Sequence, residues 1–191
     1  MSNIIQANTK LATADFTKLG TGTVADDVVG SVYMLDATLA GAFKYTILYK
    51  AAPTPPYSFT AHFINYGTTA QYQECGICLL DSVSGKFVSF VTVSNSAIDA
   101  SVNVTRQMTN TTNFAGNYTS VGNAHYCQWF GYVDNNTNRY SYLSRDGINW
   151  LLYDQQARTD FVTPNKIGIC IDPYSQACYC HFDHFKVDYS G

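Results

Sequence analysis

Glu74 is the single glutamate of this 191-residue chain, and it sets the first limit on what the protein can do. Hydrolysis of a glycosidic bond takes two carboxylates facing the scissile bond, one as acid and one as nucleophile or base. No segment places a second Glu at the short alternating spacing that one strand face would need, and the nearest carboxylate, Asp81, lies in a turn-like stretch. A lone carboxylate has no partner with which to pass a proton. No catalytic residues are expected.

The cysteines offer a second chemistry. Cys75-x-x-Cys78, with Cys178-x-Cys180 and His181, has the residue types of a zinc or redox site. In a strand, however, positions i and i+3 project to opposite faces, so Cys75 and Cys78 cannot share an ion without a bulge. The same alternation separates His181 from His184. The thiols are expected to be mostly reduced core side chains, with a disulfide and a metal site as the alternatives. Loop oxygens of Asp134, Asn135, Asn136 and Asn138 could ring a calcium ion. Asn-rich turns also exist for their tolerance of left-handed backbone alone, and no metal or cofactor is expected.

Aromatic rings are the third chemistry. Trp129, Tyr132, Tyr140 and Tyr142 are the candidate glycan-binding residues, because an aromatic face covers the C–H face of a sugar ring while polar groups at the edge take its hydroxyls. The competing reading is that these rings fill the core between sheets.

These residues need a scaffold, and the pattern is one of strands. Tyr57, Phe59, Ala61 and Phe63 alternate with Ser58, Thr60, His62 and Ile64, as in a half-buried strand. Glu74 to Leu80 is a nearly continuous apolar run, Asp81-Ser82-Val83-Ser84-Gly85 supplies turn chemistry, and Lys86 to Val93 returns. His125 to Val133, the polar turn Asp134 to Asn138, and Arg139 to Ser144 give a second hairpin. Trp150 to Tyr153, Lys166 to Ile171 and His181 to Tyr189 are further strands, whereas residues 94 to 122 are Ser-, Thr- and Asn-rich with short β-prone pieces. No 3.6-residue period is sustained over three turns. Short strands with closely spaced turns predict an all-β, two-sheet antiparallel sandwich.

Composition agrees. Tyr (15) and Phe (11) are abundant and charged residues are only 13%, a balance that favours strand faces over surface helices. Residues 1 to about 35 hold few large apolar side chains and read as an N-terminal arm or edge segment, ordered by contact with another subunit; residues 36 to 191 form the sandwich. The net charge of −3 and the absence of any Lys/Arg run argue against nucleic-acid binding. No stretch is long and apolar enough for membrane insertion, and no signal peptide is recognised, so synthesis in a cytoplasm is expected.

Four segments carry a family likeness. Cys75-Gly-Ile-Cys-Leu-Leu-Asp-Ser-Val-Ser-Gly-Lys-Phe-Val, Tyr140-Ser-Tyr-Leu-Ser-Arg-Asp-Gly-Ile-Asn-Trp, Ile167-Gly-Ile-Cys-Ile and Cys180-His-Phe-Asp-His-Phe-Lys-Val resemble successive strands of concanavalin-A-like (laminin-G-like) jelly rolls. They occur in the family's order over residues 57 to 189. The resemblance implies that fold, a core position for Trp150, and, for versions with an N-terminal arm and no leader, a phage virion component: a capsid decoration, head fibre or tail adhesin, located on the virion. Its partners would be self-association or other virion proteins through the arm, and surface glycans. The alternatives are a free bacterial carbohydrate-binding lectin module and, last, a glycoside hydrolase.

Overall fold

The computed structural model describes residues 11–27, 30–37, 41–65, 72–94, 101–121, 127–174 and 176–189. The strands are β1 (Thr17–Leu19), β2 (Thr23–Asp26), β3 (Val32–Asp36), β4 (Thr46–Ala51), β5 (Tyr57–Asn65), β6 (Glu74–Leu80), β7 (Phe87–Ser94), β8 (Ser101–Met108), β9 (Phe114–Val121), β10 (Trp129–Asp134), β11 (Asn138–Ser144), β12 (Leu151–Ala157), β13 (Lys166–Asp172) and β14 (Cys178–Tyr189). They form two seven-stranded sheets, β1-β4-β13-β6-β7-β8-β9 (sheet I) and β12-β11-β10-β5-β14-β3-β2 (sheet II). Every pairing is antiparallel, as expected.

The core follows from the period of two. On β5 the side chains of Tyr57, Phe59, Ala61 and Phe63 are fully buried and meet Phe130, Phe182 and the inward residues Ile77, Phe90, Ile167 and Ile169 of sheet I. β6 and β7 are buried along both faces because sheet I carries a second apolar layer outside, with Ile47, Cys78, Phe87, Val91, Val104 and Cys170. An unbroken apolar run is the sequence form of a strand covered on both sides. Gly76 and Gly168 fit there because any Cβ would come within 2.2 Å of a neighbouring carbonyl oxygen.

Two expectations are refined. Of the two readings, arm or edge segment, the described part of the N-terminal segment is the edge one, ordered by strands of the same chain: β1 ends sheet I by pairing with β4, and β2 ends sheet II by pairing with β3, which pairs with β14, while Val32 and Met34 are fully buried. The strands are short and hold few apolar residues, so they join by backbone pairing rather than by a long apolar face. Residues 1–10 lie outside the described residues. Four of the six cysteines are free, while Cys75 and Cys180 form a disulfide between the sheets. Cys75 and Cys78 do turn to opposite faces, but the inward Cys75 of β6 meets the inward Cys180 of β14, 105 residues away. Cys78, Cys127, Cys170 and Cys178 remain free.

Candidate functional site

The outer face of sheet II gathers the aromatic residues that the sequence singles out. Trp129 on β10 stands opposite His62 on β5, and His62 opposite His184 on β14, so three rings form a row across adjacent strands. The His62 ring stacks on Trp129 with centroids 4.5 Å apart, and His184 lies 5.0 Å from the indole. Both imidazoles are held: His62 Nδ1 is 2.6 Å from Asp183 Oδ1, and His184 Nε2 is 2.9 Å from Thr60 Oγ1. Burial lowers the His184 pKa, opposed by Asp183, and His62 beside it lowers it further.

Tyr142 and Tyr140 continue this face on β11, opposite Gly131 and Val133. Gly131 leaves a gap that Trp150 fills: a Cβ there would lie 2.8 Å from the indole. Trp150 is thus an outer-face residue, not the core residue that the resemblance implies. The Asp146-Gly147 turn packs against the Trp129 ring, with Asp146 Oδ1 accepting the Ile148 and Asn149 N–H groups; these bonds hold its carboxyl well below the usual range.

Tyr132 is the exception among the four candidates. Neighbours along a strand alternate faces, so it turns inward, is 2% exposed and packs on Tyr57 and Phe59. No platform can include it. The polar turn is also committed internally: Asp134 accepts the Asn136 N–H and binds Arg158 Nε at 2.9 Å, and Asn135 Oδ1 accepts the Thr137 and Asn138 N–H groups. Asn136 has φ +75°, the left-handed backbone for which such turns use Asn.

The outer face of sheet I holds a carboxylate pair that motif reading along one strand misses. Glu74 and Asp172 are directly opposed on β6 and β13, and both are fully buried. Arg106 Nε donates to Glu74 Oε1 at 2.6 Å, and the Tyr45 hydroxyl donates to Glu74 Oε2. Asp172 Oδ1 accepts the N–H groups of Lys44 and Tyr174 at 2.9 and 3.0 Å. Burial pushes the Glu74 carboxyl up against the pull of Arg106, and burial together with Glu74 pushes Asp172 up to about 8. With one guanidinium for two acids, Asp172 keeps its proton at neutral pH and the cluster is charge-balanced. Phe43 closes it from outside, stacked on Phe114 with the Arg106 guanidinium 5.2 Å from its ring. A substrate has no access to these acids.

No family model matches the chain, and no curated protein matches it by sequence. Solved structures do match. A functionally unknown protein from Saccharomyces cerevisiae superposes with TM-score 0.68 at 9% identity, over 94% of this chain and 99% of that one. A legume lectin-like domain from Entamoeba histolytica gives 0.58 at 10% identity, over 93% and 91%. The fold is a concanavalin-A-like sandwich. The CBM2 module of the evolved Dit of Lactobacillus casei BL23 phage J-1 gives 0.55 at 12% identity, over 90% and 83%. The GH43 protein BlXynB of Bacillus licheniformis gives 0.57 at 13% identity over 83% of this chain, but the match spans only 32% of that protein. At these identities the likeness establishes the sandwich alone.

Proposed function

We propose that this chain is a non-catalytic glycan-binding module of a phage-type virion, with the outer face of sheet II as its binding surface. The observation that carries the reading is the contrast in access: the row Trp129, His62 and His184, flanked by Tyr142 and Tyr140, is half-buried at the surface, whereas the opposed acids Glu74 and Asp172 are sealed under Phe43. A surface row of aromatic rings with fixed polar edges suits the apolar side of a sugar ring. Acids without access to a glycosidic bond cannot cleave it. The likeness to a phage Dit module supports the virion setting. The likeness to a lectin-like domain over nearly its whole length favours a second reading, a free lectin.

The test is retention of the purified chain on immobilised glycans, together with a search for the chain in purified particles. Retention without release of reducing sugar supports the module, and presence in particles separates the virion protein from the free lectin. Release of reducing sugar, or no retention on any glycan, overturns the reading.

A further inference from the structure

Three of the seven large apolar side chains that stand exposed among the described residues, Ile148, Leu151 and Leu152, fall in one stretch, the β11–β12 turn and the start of β12. Both tryptophans of the chain meet there too: Trp129 packs against Gly147 of that turn, and the Trp150 indole takes the room that Gly131 leaves. The turn is fixed. Asp146 Oδ1 accepts the Ile148 and Asn149 N–H groups, Asp146 Oδ2 accepts Asn149 Nδ2–H at 2.8 Å, and Ser144 Oγ accepts the Gly147 N–H at 2.9 Å. Its apolar groups are therefore presented in set positions.

Register brings one of them onto the outer face of sheet II. Leu152, 47% exposed, stands directly opposite Tyr142, and directly opposed residues share a face. Tyr142 is opposite Gly131, over which Trp150 lies, and Gly131 is opposite Thr60. Along this line the surface passes from the Thr60 hydroxyl, bonded to His184, through the Trp150 indole to a purely aliphatic end at Leu152. A sugar hydroxyl laid against Leu152 would lose water without gaining a hydrogen bond. A methyl group there would gain by burial. A second copy of the chain would need an interface of roughly 800 Å² per partner, more than three aliphatic side chains supply.

We propose, resting on the glycan-binding reading above, that the Leu152 end of the face is a subsite for a methyl-terminated sugar substituent, either the acetamido group of an N-acetylhexosamine or the methyl of a 6-deoxyhexose. Leu152, Tyr142 and Trp150 receive the methyl, while Thr60 and His184 lie on the side of the ring hydroxyls.

The experiment lets free sugars compete for the chain retained on immobilised glycan: N-acetylglucosamine against glucose, and 6-deoxygalactose against galactose. The methyl-bearing member of at least one pair is expected to compete about tenfold better than its parent, and the pair that does so identifies the substituent. Leu152→Ser should bring that ratio close to one, whereas Val83→Ser, which removes a 90% exposed apolar side chain from the β6–β7 turn, should leave it unchanged. Equal competition within both pairs by a retained chain, or a preference that survives in Leu152→Ser, overturns the subsite and leaves the glycan reading standing. A dimer that depends on Leu152, with no preference between the sugars, would give the strip to a second copy and likewise overturn it. No retention on any glycan overturns both.

Discussion

The two outer faces of the sandwich put polar and aromatic residues to opposite ends. On sheet I, two acids, an arginine and Tyr45 are sealed beneath Phe43 into a charge-balanced cluster, while on sheet II tryptophan, histidines and tyrosines stay at the surface, the histidines fixed by Asp183 and Thr60. The difference lies in what covers each face. Buried polar groups must satisfy one another and so serve the fold, whereas an aromatic row left in contact with solvent can trade that contact for a ligand.

Breaking the sealed face should have the largest effect. Arg106→Ala leaves the buried Glu74 without its cation, and a loss of about 3–5 kcal/mol is expected in denaturant unfolding. The second effect concerns the join between the sheets. Cys75→Ser with Cys180→Ser, or reduction of the native chain, opens the bridge across 105 residues and should cost about 2–5 kcal/mol. Thiol titration of the denatured protein gives the count directly: four free thiols before reduction and six after, by the four free cysteines and the one bridge.

The third effect is the pH dependence that the sealed face contributes. Asp172 has a folded pKa of about 8, above its unfolded value, so the native state keeps a proton that the unfolded chain has lost. Stability from this group is therefore full below about pH 4 and declines as pH rises until about pH 8, where it levels off. Asp172→Asn removes this slope while retaining the acceptor for Lys44 and Tyr174. Unfolding midpoints at pH 5, 7 and 9 should converge in the variant relative to the wild type; parallel curves would show that Asp172 is ionised in the fold.

Much of this architecture was legible from residue patterns, and the exceptions share a cause. The alternation of β5 and the unbroken run of β6 report directly on how many faces are covered. Strand order is not written in such periods. Glu74 meets Asp172, and Cys75 meets Cys180, because β13 and β14 return beside or opposite β6 and β5. For the same reason the short β1 and β2 read only as an arm or edge segment: their place is set by partners, not by their own apolar pattern. Within the candidate site Trp129, Tyr140 and Tyr142 share a face while Tyr132 does not, an outcome that alternation along β10 already contains. His62 and His184 were reachable only through the pairing of β5 with β10 and β14.

The smallest structural change should have the sharpest functional result. Trp129 is half-buried on an outer face, so Trp129→Ala should alter stability far less than Arg106→Ala while removing the centre of the ring row. Retention on immobilised glycans, measured side by side for the wild type, Trp129→Ala and Glu74→Gln, tests the contrast between the faces most directly. Glycan retention is expected to be lost in Trp129→Ala and kept in Glu74→Gln. Unchanged retention in Trp129→Ala with loss in folded Glu74→Gln would contradict the account and move the binding surface to sheet I.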